Sequence, residues 1–184
     1  MSSIANNYPY CKNITDNTEN DMTDDANQPL TKKRSPKQTA LHCGVGLLAR
    51  REHSEYELRQ KLSFREFPAD EIDSVIERLL EKDYLSDTRF AHSTCRYRAS
   101  RGYGWRYIAN ELKQKGVCLI IVQQLQKNCE IDWYLQAELA YNKRFGEPKL
   151  KDTQTTQKEQ AKKIRFLQYR GFSSDEIFAL VNDN

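Results

Sequence analysis

The sequence has little of what punctuates or staples a chain: five prolines, seven glycines, and five cysteines with no C-x-x-C pair among them. Cys11, Cys43, Cys95, Cys118 and Cys129 are odd in number and scattered, so neither a disulfide framework nor a zinc site is written in them, and they read as reduced thiols. The three histidines, His42, His53 and His92, form no H-x-x-x-H pair, and His42 and His92 stand fifty residues apart as if on a repeated helix surface. That pattern offers no catalytic or metal-binding constellation and implies no cofactor. No run approaches the roughly 18 apolar residues that a membrane helix needs, and the first residues lack the basic and apolar regions of a signal peptide. The expected compartment is the cytoplasm, with no membrane partner.

What is present is charge. Of 184 residues, 38% are hydrophobic and 30% charged, and the mean hydropathy is −0.85, which suits one or two domains with a thin core and much surface. The net charge of +3 is unevenly spread, since residues 1–31 hold Lys12 against five acids, leaving +7 for the remainder. Residues 1–36 are rich in Asn, Asp, Thr and Ser without apolar periodicity, the composition of a disordered tail that cannot offset its ordering entropy by burial. Lys32, Lys33, Arg34 and Lys37 close this tail and read as a solvated tether.

Beyond Lys37 the apolar spacing predicts helices over 38–52, 54–65, 69–82, 87–100, 105–115, 118–127, 132–145, 156–169 and 174–182. Ser54-x-x-Glu57 and Ser173-x-x-Glu176 match the capping box, in which the serine oxygen and the glutamate carboxylate each take a free backbone N–H at a helix start. Asp87 and Asp132 are the expected caps of the fourth and seventh helices.

These helices repeat. Leu62, Phe67, Ile72 and Val75 recur as Leu112, Val117, Val122 and Leu125, and again as Leu167, Phe172, Ile177 and Leu180. If Gly116 and Gly171 are left-handed residues just past a helix end, the Leu four positions earlier and the apolar residue after them form the contact of a Schellman motif. Glu66 replaces the glycine in the first copy, which puts that cap in question. The expected architecture is all-α: a disordered tail over 1–36, then three tandem three-helix repeats over 37–86, 87–130 and 131–184. A three-helix unit of this size buries little alone, so the copies should lean on one another in an elongated array that is free to curve.

The most one-sided stretch lies in the middle copy. From Thr88 to Gly116, seven cations face the single anion Glu111, a local charge of +6. Arg98, Arg101, Arg106, Lys113 and Lys115, with Tyr103 and Trp105 interleaved, are the candidate partner- or DNA-binding residues, because arginine mixed with aromatics stacks bases or anchors protein interfaces. The plain alternative is a solvated face with its aromatics in the core. Gly102-Tyr103-Gly104 is too short to cradle phosphate and reads as a hinge between the fourth and fifth helices. The acidic run Asp70–Glu81 reads as the solvated side of an amphipathic helix.

The chain resembles the RecX family of bacterial regulatory proteins from about Leu41 to Val181. The resemblance rests on ARREHSEYELRQKL (Ala49–Leu62), YLSDTRFA (Tyr84–Ala91), SRGYG (Ser100–Gly104), IANELKQKGV (Ile108–Val117), IDW (Ile131–Trp133) and FLQYRGF (Phe166–Phe172). It departs from the family at Trp105, where proline is usual, at Cys118, where a serine usually caps the next helix, and in its acidic tail. The resemblance implies a non-enzymatic negative modulator that binds the RecA filament on single-stranded DNA as a monomer. Such a protein inhibits ATPase, strand exchange and coprotease activity and limits filament extension. Two other classes stay open on the residues alone. Helix pairs joined by tight turns outline a direct DNA-binding helical protein, although no helix groups the Arg, Asn and Gln that read base edges. A helical scaffold with no nucleic-acid role follows if the +6 stretch is scattered in space.

Overall fold

The computed structural model describes residues 39–146 and 157–182; the expected tail and its basic cluster lie outside the described residues. Among the described residues there are nine α-helices and no strand. They are α1 (Ala40–Leu48), α2 (Glu55–Ser63), α3 (Ala69–Glu81), α4 (Asp87–Ser100), α5 (Trp105–Gln114), α6 (Leu119–Asn128), α7 (Trp133–Phe145), α8 (Gln157–Arg170) and α9 (Ser174–Asn182). Helices in substantial contact always belong to one consecutive trio, α1–α3, α4–α6 or α7–α9. Each trio has its own apolar cluster, so the all-α, three-by-three reading of the sequence holds.

The repeated apolar positions are what fill those clusters. Leu62, Leu112 and Leu167 are completely buried, and Phe67, Val117 and Phe172 sit beneath them at 5% exposure or less. The caps explain why these residues meet. Gly116 and Gly171 adopt φ of 75° and 84°. Behind them the Val117 amide donates to the Leu112 carbonyl (3.0 Å) and Gly116 to Lys113 (3.0 Å), with Phe172 to Leu167 (3.2 Å) and Gly171 to Gln168 (2.9 Å) as the second example. This is the hydrogen-bond pair of the Schellman motif, which folds the residue after the glycine under the helix it has just left. The first trio makes the same turn with Glu66 at φ 61°, a left-handed conformation that costs a non-glycine residue about 1–2 kcal/mol.

Helix boundaries follow the sequence with three exceptions. Ser173 and Glu176 form a reciprocal capping box, and the Asp132 carboxylate accepts from Tyr134 and Leu135 as expected. At Ser54 only half the box forms: its hydroxyl accepts from Glu57 (3.0 Å), while the Glu57 carboxylate turns to Arg51 in a two-pronged pair at 2.8 and 2.9 Å. Asp87 does not cap α4, because Ser86 takes that place in extended conformation (φ −153°) and accepts from Arg89. The first helix ends at Leu48 rather than running on to residue 52, since residues 51–54 are given over to the Arg51 anchor, buried His53 and the Ser54 cap. Trp105 and Cys118 stand at helix starts without a side-chain cap, as the departures from the family pattern imply. Cys95 and Cys129 are free thiols, as read, whereas Cys118 is disulfide-bonded, a correction to its reading as a reduced thiol. Burial pushes the Cys95 thiol up to about 12, with Cys129 alongside at 4.0 Å.

Neighbouring trios are joined by seams of one design. The left-handed cap of one trio's second helix presses on the N-terminal turn of the preceding trio's second helix: Gly116 lies against Tyr56 of α2, and Gly171 against the backbone of Tyr107 in α5. At the first seam, the Glu55 amide at the start of α2 donates to the Asp87 carboxylate (2.8 Å), and Arg89 reaches Glu52 (3.0 Å). At the second, the Gly104 amide donates to the Arg170 carbonyl (2.8 Å) and the Arg106 amide to that of Gly171 (3.0 Å). Gly102-Tyr103-Gly104 is therefore a docking turn fixed to the third trio, a correction to its reading as a hinge. A β-carbon on Gly104 would fall 2.6 Å from the Gly171 carbonyl oxygen, which is why glycine stands there.

Candidate functional site

The candidate residues of the middle trio divide into two groups. Arg98 and Lys115 are engaged within the protein. Arg98 grips the Glu111 carboxylate at 2.5 and 2.6 Å across α4 and α5, and that pairing raises the guanidinium above its usual range. Lys115 reaches back over the first seam to Glu57 (3.5 Å). Burial would raise the Glu57 carboxyl, but the hydrogen bond and charge of Arg51, with Lys115 and His53 beyond, hold it at about 2. Arg101, Arg106 and Lys113 are exposed and belong to no ion pair among the described residues.

The aromatics divide as well. Trp105 packs into the middle core with Trp133 at 6.0 Å, so it is a structural residue first. Tyr103 stacks on Tyr107 at 4.3 Å, and this pair is the platform of the site. Arg98 lies over Tyr103 at 5.8 Å and Arg170 over it at 4.8 Å, while Arg98 and Arg101 flank the exposed Tyr97 at 5.5 and 5.6 Å. Cations over aromatic faces are held in place without losing their outward N–H donors.

Three cations of the third trio join this group, and the sequence reading did not name them as site residues. Arg170, at the end of α8, donates through Nη1 to the carbonyls of Arg101 (2.9 Å) and Gly102 (3.4 Å). Lys143 and Arg144, in the last turn of α7, line a cavity of about 290 Å³ together with Arg101 and Arg170. A second cavity of about 400 Å³ on the same seam is lined by Arg106, Tyr107, Asn110, Gln168 and Tyr169. The exposed positive charge of the middle trio thus continues across the second seam. The only sequence signal for this was Arg170 beside Gly171, the repeat of Lys115 beside Gly116.

The fold and this seam define an all-α protein of tandem three-helix domains whose cationic and aromatic residues gather where two domains meet. The chain belongs to the RecX family: its first, second and third three-helix domains match residues 40–79, 86–124 and 130–181. It is 40% identical over 146 residues to the regulatory protein RecX of Vibrio parahaemolyticus, covering 79% of this chain and 92% of that one. To the regulatory protein RecX of Haemophilus influenzae it is 39% identical over 141 residues, or 76% and 91% of the two chains. The crystal structure of RecX from Lactobacillus salivarius shares the fold, with a TM-score of 0.63 at 19% identity over 78% of this chain and 93% of that one. Among the described residues no helix is long and apolar enough to cross a membrane.

Proposed function

We propose that the chain is a cytoplasmic, non-enzymatic negative modulator of the RecA recombinase. It binds the RecA filament on single-stranded DNA as a monomer, inhibits ATP hydrolysis, strand exchange and coprotease activity, and limits filament extension. The observation that carries the reading is membership of the RecX family through all three domains, with relatives named regulatory proteins at about 40% identity. The physical arrangement supports it. Domains strung in chain order present successive surfaces to a repeating partner, and a ligand that prefers one filament state shifts the population by its differential affinity. Arg101, Arg106 and Lys113, with Tyr103 beside them, are the contacts available to RecA acids or to phosphate. Arg98, Lys115 and Trp105 position them.

The test is a comparison of binding by the full chain to RecA filaments on single-stranded DNA and to bare DNA of equal length. Tighter binding to the filament is the expected result. Equal affinity for both favours a direct DNA-binding protein, and binding to neither favours a scaffold.

A further inference from the structure

We propose that the cavity at the second seam, between the end of α4 and the last turns of α7 and α8, is a phosphate-binding site that takes the phosphodiester backbone of single-stranded nucleic acid. Arg101, Lys143, Arg144 and Arg170 line it with Ser100 and Gln136, and among the described residues no acidic side chain faces it. Among the described residues none of the four cations is in an ion pair.

All four cations stand at helix C-termini, so part of their charge answers the helix dipoles. Three such ends contribute about −0.5 each, which leaves a cluster of four cations at roughly +2.5. An excess of that size in one concavity repels itself until an anion enters. Arg170 is also set in advance. Its Nη1 is spent on two backbone carbonyls, and its plane lies over Tyr103 at 4.8 Å and Phe166 at 5.2 Å. The remaining donors, Nε and Nη2, have no acceptor among the described residues, so anion binding need not first order this side chain. Exposed Tyr97, flanked by Arg101, stands beside the cations as a surface for a base, which favours a nucleic-acid strand over an acidic peptide.

The site deepens the function proposed above by moving the nucleic-acid contact onto the third trio. Its test is read on bare DNA, so it fails or succeeds separately from RecA inhibition. Fluorescence anisotropy of a labelled oligothymidylate would be followed for the full chain, for K143Q/R144Q, and for K158Q/K162Q, which loses the same charge from exposed positions of α8 outside the cavity. K143Q/R144Q should bind about tenfold or more weakly, and its slope of log affinity against log salt should shrink by about 1.4, the value for two lost single-strand phosphate contacts. K158Q/K162Q should stay within about threefold of the unaltered chain. Circular dichroism should show both variants folded, since all four side chains are exposed. The proposal is overturned if the two variants lose affinity equally, if neither does, or if the unaltered chain does not bind the oligonucleotide. It is also overturned if free dTMP or an oligoglutamate displaces the strand at matched anion concentration.

Discussion

The Gly104 amide donates to the Arg170 carbonyl at 2.8 Å, so the turn that follows α4 is held by the end of α8. Beside this bond Gly171 meets the backbone of Tyr107 with no room for a β-carbon of its own. The left-handed glycine that ends one domain's second helix is also the surface on which the preceding domain rests. One residue thereby links the local cap to the order of the array.

Gly171→Ala should destabilise the protein by about 1–2 kcal/mol for the left-handed backbone and about 1–3 more for the forced contact. At Gly116 one fixed atom, the Tyr56 β-carbon at 2.6 Å, lies closer than 3.0 Å, against three atoms of Tyr107 at Gly171, so Gly116→Ala should cost less. Thermal melting of the two variants gives the order, and a larger loss at Gly116 would contradict this description of the seams.

Leu112→Ala should cost about 2–5 kcal/mol, because Leu112 is completely buried under the cap of α5. The converse holds in the first domain. Glu66→Gly should be neutral or stabilising by up to about 1 kcal/mol, as it relieves a left-handed glutamate. Chemical denaturation measures both, and a clear loss in the Glu66 variant would mean that its side chain contributes more than its backbone costs.

The repeat and its caps were legible in the sequence because Leu62, Leu112 and Leu167, with the residue five positions on, are local patterns that one helix turn and one glycine enforce. The seams were not. Asp87 looks like a helix cap from its neighbours, yet its carboxylate accepts from the Glu55 amide of another domain, 32 residues away. Arg170 was legible as a cation at a helix end, but its bond to the Arg101 carbonyl spans 69 residues. The +6 charge of the middle stretch was legible as an excess, but Arg98 is engaged by Glu111, Lys115 by Glu57, and Arg89 by Glu52 and Asp83, and three of those four acids come from outside the stretch.

Two carboxylates should give opposite pH dependences. Glu57 is held at about 2 against an ordinary 4.5, so the stability it contributes is complete above pH 4.5 and lost as pH falls through about 2. Burial raises Asp87 from 3.8 to about 6, an effect its bond from the Glu55 amide only partly offsets. The folded protein therefore binds that proton more tightly and gains stability as pH falls from above 6 towards 3.8. Asp87→Asn, which keeps the acceptor, should flatten the rise in melting temperature between pH 7 and 5. Glu57→Gln should melt below the unaltered chain at pH 7 and converge with it near pH 2. Melting curves of each variant that stay parallel to the unaltered chain across pH would refute these assignments.

Charge reversal should separate positioning cations from contacting ones. Arg98→Glu sets two acids against each other and should lower the melting temperature as well as binding, because Glu111 is left half-buried without its partner. Arg101→Glu and Lys113→Glu remove exposed charges that belong to no ion pair among the described residues, so they should leave melting nearly unchanged while weakening filament binding and flattening its salt dependence. Melting temperature and filament affinity measured side by side distinguish the two groups. Full-strength binding by a folded Arg101→Glu, Lys113→Glu double variant would remove this face from the interface.

The most direct test of the central claim is steady-state ATP hydrolysis by RecA filaments preformed on single-stranded DNA, followed as the full chain is added. Hydrolysis should fall at concentrations where bare DNA of the same length is still largely unbound by the chain, because the filament is the preferred partner. Hydrolysis that stays unchanged at concentrations saturating the filament, or that falls only as the chain coats bare DNA, would contradict it.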